Sequence, residues 1–418
     1  MNIWLINHYA VPIKYYPLAR TTNFAKYLIR KGHNVTIFAA SAVHNSNVNL
    51  IIDDRPFIEQ TVDSIKYVLI NTSQYKGNGI SRITNMFQFA CRLPKVCNKF
   101  EGPDIIMASS ATPLACMAGI KLSKKYKCKC IAEVSDLWPE SFVEYGLISR
   151  NNPFLKLMYI YEKQMYEKAD KIIFTMEGGK DYIIEKKWDM EHGGPIDLKK
   201  VHYINNGVDL EAFRMNLKNH WLEDRDLDRQ DLFKIGYVGS IRKANNLDKI
   251  LDTALLINNK NVRFLIWGAG DEVEKLKNKV SEQKIKNVVF KGYVDKKYIP
   301  SILSRSDLNF FILNGSELFR FGLSLNKSFD YIASGKPLLI VGKASYSLVD
   351  KYQCGIHIDS VDPQKTAEEI DRFISMPQTE YEKYCENALK AAHEFDFKEL
   401  TNKLIGIVYE LTENKMSK

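Results

Sequence analysis

No C-x-x-C pair occurs among the seven cysteines, Cys91, Cys97, Cys116, Cys128, Cys130, Cys354 and Cys385. A cysteine-built metal site therefore has no support, and an odd number of scattered thiols reads as reduced cysteine in a cytoplasmic protein. No apolar run reaches the ~20 residues of a membrane-spanning helix. The nearest, "DIIMASSATPLACMAGI" at 104–120, is broken by Ser109, Ser110, Thr112 and Pro113. The opening "MNIWLINHY" lacks a basic start and a cleavage site, so no signal peptide is expected. Heptads, solenoid repeats and low-complexity blocks are missing too, which excludes fibre and extended disorder. The net charge is +9, but the basic residues are mixed with acids, and no zinc finger, RNP-type sequence or basic zipper occurs. Nucleic acid is therefore not expected as a partner, whereas phosphorylated substrates and anionic lipid are.

What is present is alternation. "NIWLIN", "NVTIFAAS", "IKYVLI", "DIIMASS", "KCIAEVS" and "KIIFTM" read as strands, separated by helical patterns such as "ARTTNFAKYLIR". This predicts βαβ units and a parallel sheet, with ligand loops at one edge. The pattern loosens over "RMNLKNHWLEDRDLDRQD", then restarts with "FKIGYVGS", "VRFLIWGAG", "NVVFKGYV", "LNFFIL" and "PLLIVG". A chain of 418 residues is too long for one core. The expected fold is α/β, two doubly wound Rossmann-like domains facing across a cleft. The expected boundaries are 1–210, a linker or surface excursion at 211–232, a second domain at 233–395, and a helix at 396–418 packing back on the first domain.

One stretch asks for chemistry. In "NKSFDYIASGKPLLIVG", Asn326 reads as a helix N-cap and Gly335 as the residue just past its end. Lys327 beside a helix N-terminus suits phosphate. Asp330, one turn deeper, suits sugar hydroxyls, so the pair points to a nucleotide. The plainer reading is a capped surface helix with a solvated acid.

Ordered blocks along nearly the whole chain carry a resemblance: "FAKYLIRKGHNVTIFAAS", "PDIIMASSATPL", "AEVSDLWPES", "YEKADKIIFTMEGGKDYI", "INNGVDLEAF", "YVGSIRKANNLDKIL", "WGAGDEVEKLK" and "NKSFDYIASGKP". The sequence resembles the GT-B glycosyltransferases of family 4, of the type that builds bacterial O-antigens and capsules. The resemblance implies retaining transfer of a sugar from a nucleoside diphosphate, with the donor on the C-terminal domain and the acceptor on the N-terminal one. A UDP-sugar is the expected donor, an N-acetylamino sugar being one candidate. No cofactor and no metal are expected: the D-x-D metal signature is read as absent, so helix termini and basic side chains must hold the departing diphosphate.

The same resemblance implies roles by position. Asp330 falls on the second of two family Glu residues and would bind the ribose; the first falls at Gly322, so that acid is missing. Lys327 and Asn326 would meet the diphosphate. The glycine turn Gly239-Ser240 would face it too; Ser240 and Asn245 stand where relatives often have Arg and Lys, so Arg242 and Lys243 are the substitutes. Tyr293 and Val294 would meet the base, or Tyr293 is a packed aromatic. In the acceptor half, Asp136 either orients or deprotonates the acceptor hydroxyl or caps the following helix. Arg20, Glu133 and His8 are acceptor-side candidates, Ser135 stands where relatives commonly carry Arg, and "KYYPLAR" with Tyr15 and Tyr16 replaces a Gly-Gly loop.

Two other readings stay open: a nucleotide-sugar epimerase on the same fold, and a non-catalytic partner protein that kept the fold. The expected partners are a nucleotide-sugar donor, a saccharide or polyprenyl-diphosphate-linked acceptor, and the inner face of the cytoplasmic membrane. For the last, the segment 80–100 mixes Arg82, Arg92, Lys95 and Lys99 with Ile83, Met86, Phe87, Phe89 and Leu93. Pro94 is expected to split it into two short helices, unless it is an ordinary core-packed helix.

Overall fold

The computed structural model describes residues 1–15, 19–44, 46–77 and 79–413, so the expectation for Tyr16 lies outside the described residues. The chain divides into two compact units, Met1–Asn205 with Phe397–Lys418, and Asn206–Asp396.

The first unit is built on β1 (Asn2–Ile6), β2 (Asn34–Ala40), β3 (Phe57–Val62), β4 (Ile65–Ile70), β5 (Ile105–Ser109), β6 (Lys129–Val134), β7 (Lys171–Phe174) and β8 (Val201–Tyr203). They form one sheet in the order β3-β4-β2-β1-β5-β6-β7-β8, parallel except for the β3–β4 hairpin. β1, β2 and β5 are near-continuous apolar runs because helices cover both faces of a parallel sheet. The hairpin turns on Asp63 and Ser64, both at positive φ, as the right-handed twist of its strands requires. The helix Phe397–Glu413 belongs to this unit: Phe397 meets Phe24 edge-on at 5.6 Å, and Glu410 pairs with Lys171 at 2.9 Å.

The second unit holds β9 (Phe233–Val238), β10 (Val262–Trp267), β11 (Val288–Gly292), β12 (Leu308–Ile312), β13 (Leu338–Val341) and β14 (Gly355–Ile358). Its sheet is wholly parallel, in the order β11-β10-β9-β12-β13-β14.

Two expectations are corrected here. The stretch 211–232 is not a linker. It begins within the helix Leu210–Asn219, capped by Asp209, and continues as a packed flank of the second unit. Its polar residues are used: Arg305 pairs with Asp228 at 2.7 Å and lies 4.0 Å over the Trp221 ring, while Leu227 is buried. Likewise Pro94 does not split its helix, which runs unbroken over Ile80–Cys97. Pro94 sits in the last turn, where its missing N–H costs one hydrogen bond near an end.

Candidate active site

In a doubly wound sheet, ligands bind beside the carboxyl ends of the strands, where the winding reverses. In the second unit that point lies between β9 and β12. The loop after β9 and the loop after β10 meet there backbone to backbone: Ile241 N–H donates to Ala269 O at 2.9 Å. A Cβ on Gly268 would stand 1.8 Å from Gly239 O, and one on Gly270 1.9 Å from Ile241 O. Only glycine permits that approach.

The helix Asn326–Ala333 opens beside these loops. Asn326 is its first helical residue; the cap position falls to Leu325, and no side chain caps the end. Asn326 is thus not the N-cap that its side chain suggests. Lys327 lies 2.7 Å by its Nζ from Oδ1 of Asn245, and 5.0 and 5.4 Å over the rings of Tyr237 and Phe311. Among the described residues it forms no ion pair, and burial pushes its ammonium down to about 8. Asn245 is fixed in turn, donating to Ser240 O and Ser240 Oγ at 3.0 Å, while Tyr237 OH donates to Ser240 O at 2.8 Å. A cation with no acid against it, wrapped in aromatic faces, is a strong attractor for an anion.

Asp330 follows on the same helix, partly buried and without a hydrogen-bond partner among the described residues. Burial raises its carboxyl above the ordinary range, with Lys296 pulling the other way. Arg242 and Lys243 are exposed and make no ion pair among the described residues; Lys327 meets Asn245, which bonds Ser240, and not them. Tyr293 is 75% exposed, which removes the packed-aromatic reading, and Val294 beside it is half-buried. Gly322, the place of the missing acid, has φ +105, a backbone that residues bearing a Cβ rarely adopt.

The polar stretch does contain two Asp-x-Asp triplets, Asp224–Asp226 and Asp226–Asp228, which the sequence reading passed over. Their carboxylates are engaged. Lys291 pairs with Asp224 at 2.8 Å and Asp226 at 2.5 Å, and Arg305 takes Asp228. Among the described residues no group of three His, Cys, Asp or Glu could hold a metal ion.

In the first unit the winding reverses between β1 and β5, and β1 delivers Asn7, His8 and Tyr9 to that edge. His8 is buried, and its Nε2 lies 2.6 Å from Oδ1 of Asn85. Asn85 donates by its own amide to Ser73 O at 2.6 Å, so its oxygen faces His8 and the imidazole carries its proton on Nε2. Burial pushes the imidazole down to about 3, so His8 stays neutral and hydrogen-bonds without titrating. Arg82 donates to Tyr9 OH at 2.8 Å, His44 stacks on Tyr9 at 4.5 Å, and Tyr75 OH lies 2.6 Å from His44 Nδ1. Asp136, exposed after β6, has its carboxyl raised by the protein around it, with Arg82 opposing.

Arg20 and Glu133 do not present themselves to an acceptor. Both are buried, and they pair at 2.7 Å. Arg20 also donates to the carbonyls of Ile204 and Asn205, tying the helix Ala19–Arg30, β6 and the chain after β8 together. Arg82, read as a membrane contact, turns inward to Tyr9. Sequence reasoning missed Asn85, His44 and Tyr75. The available signal was Asn85 itself, a polar residue on the buried stripe Asn85, Phe89, Leu93 and Val96 of its helix.

Residues 19–212 match the model of the family described as Glycosyltransferase Family 4, and residues 221–394 that of Glycosyl transferases group 1. The probable glycosyltransferase WbjE of Pseudomonas aeruginosa is 20% identical, over 77% of this chain and 78% of its own. An uncharacterized 41.2 kDa protein in the cps region of Klebsiella pneumoniae is 22% identical, over 88% and 95%. Among solved structures, sucrose-phosphate synthase from Thermosynechococcus elongatus superposes with a TM-score of 0.72 at 15% identity, covering 99% of this chain and 100% of that one. The Anabaena protein HepE, in complex with UDP and glucose, gives a TM-score of 0.67 at 15% identity, covering 98% and 100%. With one family match on each unit, in this order, the chain belongs to the family 4 glycosyltransferases of GT-B fold.

Proposed function

We propose that the protein transfers a hexosyl or N-acetylhexosaminyl group, with retention, from a UDP-sugar to a saccharide or polyprenyl-diphosphate-linked acceptor in bacterial surface polysaccharide synthesis. The observation that carries the donor half is Lys327, a desolvated cation with no acid paired to it among the described residues, with the carboxylate of Asp330, bonded to none of them, one turn further on the same helix. Lys327 and the uncapped helix start hold the diphosphate, and Asp330 accepts from the ribose hydroxyls. The exposed Tyr293 and the backbone of half-buried Val294 meet the base. Arg242 and Lys243 add charge at the mouth.

The bond from the sugar C1 to the diphosphate oxygen breaks, and a bond from C1 to the acceptor oxygen forms on the same face. The acceptor proton passes to the departing phosphate oxygen. Asp136 orients the acceptor hydroxyl. Lys327 stabilises the charge that grows on the leaving group, so that no metal is needed.

The acceptor half of the proposal places the first unit on the inner face of the membrane. None of the described helices is long and apolar enough to cross a bilayer. The helix Ile80–Cys97 exposes Ile80, Ile83 and Phe87 on one side, with Lys95 and Lys99 toward its end. HepE's complex with UDP and glucose supports the donor class, and the likeness to the protein in the cps region of Klebsiella pneumoniae supports the pathway. The test is a panel of nucleotide sugars assayed for release of nucleoside diphosphate with and without a lipid-linked acceptor. Release that needs the acceptor supports transfer; conversion of the donor without it supports an epimerase, and no turnover with any donor supports a non-catalytic partner.

A further inference from the structure

The ladder between β9 and β12 ends before either strand does. Ile235 pairs with Leu308 and Gly236 with Asn309, while β9 runs on to Val238 and β12 to Ile312. The alternation along β9 shows which backbone groups the parting affects. Odd-numbered residues face β10: Phe233 N–H donates to Asn261 O at 2.8 Å, and Gly239 N–H to Trp267 O at 3.1 Å. Even-numbered residues face β12, where Lys234 O accepts from Asp307 N–H at 2.7 Å. Val238, only 6% exposed, therefore turns its N–H and C=O toward a strand that has moved away. Buried backbone groups of that kind need another partner.

A single side chain answers both. The hydroxyl of Tyr331 accepts from Val238 N–H at 2.8 Å and donates to Val238 O at 3.0 Å. A hydroxyl has one proton to give and lone pairs to receive, so the two bonds are compatible. The ring is 1% exposed and lies 6.2 Å from that of Phe311 on β12. Phenylalanine would occupy the same space but leave both groups of Val238 unpaired.

The place of Tyr331 in the chain gives this repair a consequence. It lies on the helix Asn326–Ala333, directly after Asp330 and one turn beyond Lys327. Val238 is the residue before the turn Gly239-Ser240. Helix and turn are thus joined twice, at the mouth by Lys327 and Asn245, and at the base by Tyr331 and Val238. The two joins differ in kind. Lys327 is the cation proposed to meet the diphosphate, so its bond to Asn245 is open to exchange when the donor arrives. The bonds at Val238 are buried and outlast that exchange. On its other face the helix is held by apolar packing, with the Phe329 ring 5.0 Å from that of Phe395. Such packing is non-directional, whereas a pair of hydrogen bonds fixes distance and angle.

We infer that Tyr331 is a positioning residue for the donor: it sets the register of the helix against the glycine turn, and with it the places of Lys327 and Asp330. The inference rests on the donor reading proposed above and adds the residue that holds its two side chains in place.

A double-mutant cycle on UDP affinity, measured well below the melting temperatures, tests it. Tyr331→Phe should weaken UDP binding roughly tenfold. Lys327→Ala should weaken it by a similar factor in the wild-type background. In the Tyr331→Phe background the same change should weaken it less than about threefold, because a helix out of register no longer presents the ammonium. Phe329→Leu, which loosens the other face of the helix, should lower the melting temperature and leave UDP affinity unchanged. Unchanged affinity in Tyr331→Phe, or independent factors for Tyr331 and Lys327, overturns the inference while the donor reading stands. A loss in Phe329→Leu as large as in Tyr331→Phe also overturns it, since any disturbance of the helix would then suffice. Unchanged affinity in Lys327→Ala overturns the donor reading and the inference with it. Amide exchange of the wild type needs no variant. Val238 N–H should be as protected as the amides inside β9, and exchange at the rate of an open loop overturns the clamp even where Tyr331→Phe does not fold.

Discussion

Lys327 Nζ and Asn245 Oδ1 lie 2.7 Å apart, so a cation on the helix Asn326–Ala333 is held by an amide of the loop after β9. Because burial pushes Lys327 down to about 8, its charge is lost within an accessible pH range. The charged form dominates below that value and the neutral form above it. If Lys327 meets the diphosphate, UDP affinity is full below pH 8 and falls as pH rises through it. Lys327→Arg should remove this fall, since a guanidinium stays charged throughout. Asn245→Ala should cost about 1 kcal/mol of UDP binding. Calorimetric titrations of the three proteins across the window decide it; parallel profiles for wild type and Arg variant would take Lys327 out of the site.

Asp330 accepts no hydrogen bond from any described residue, so no internal bond of theirs is lost when it is removed. Asp330→Ala should therefore leave the melting temperature nearly unchanged while weakening UDP binding by about 1–3 kcal/mol, the scale of hydrogen bonds to a charged group. A uridine-free diphosphate should bind the variant as it binds wild type. Equal loss for both ligands would point to a general disturbance of the helix.

Arg20 and Glu133 make the opposite prediction. Each is buried against the other, so truncating one leaves an uncompensated charge. Arg20→Ala should destabilise the first unit by about 3–5 kcal/mol. Denaturant unfolding measures it, and UDP affinity should hold under native conditions. A fully stable Arg20→Ala enzyme with impaired transfer would return Arg20 to the acceptor side.

The parallel strands are legible in the sequence because β1, β2 and β5 are short, nearly unbroken apolar runs set between helical periods. β3 is not: "FIEQTV" is a half-exposed edge strand whose pairing depends on the turn at Asp63–Ser64. The second unit's candidate residues are legible because Lys327 and Asp330 are three residues apart on one helix. The first unit's are not, because its contacts join distant positions: His8 to Asn85, separated by 77 residues, and Arg20 to Glu133, separated by 113. No local period announces such a pair. The stretch 214–231 misleads for a related reason: its charges read as solvated until their partners Lys291 and Arg305 are known.

Gly322 bears on whether the missing family acid can be restored. Its φ of +105 is strained for any side chain. Gly322→Glu should cost about 1–3 kcal/mol of stability and should not raise turnover, because the side chain can be held only by straining the loop. Melting curves and donor turnover together check this; a stable and faster variant would show that the loop accepts the family geometry.

Metal is the last question. Asp224 and Asp226 have the spacing of a metal-binding acid pair, yet both are bound to Lys291, at 2.8 and 2.5 Å. That ammonium lies 6.0 Å from the Trp267 ring centroid, so a divalent ion would have to displace a paired and sheltered cation. Lys327, by contrast, is unpaired and set at the loops that would meet the diphosphate. Transfer should persist in excess EDTA, with Lys327→Ala lowering turnover at least as far as it lowers affinity. Asp224→Asn should alter stability and leave turnover per folded molecule intact. Turnover lost in EDTA and regained with magnesium or manganese would show that the diphosphate is neutralised by an ion, and a metal-dependent Asp224→Asn defect would locate that ion in the polar stretch.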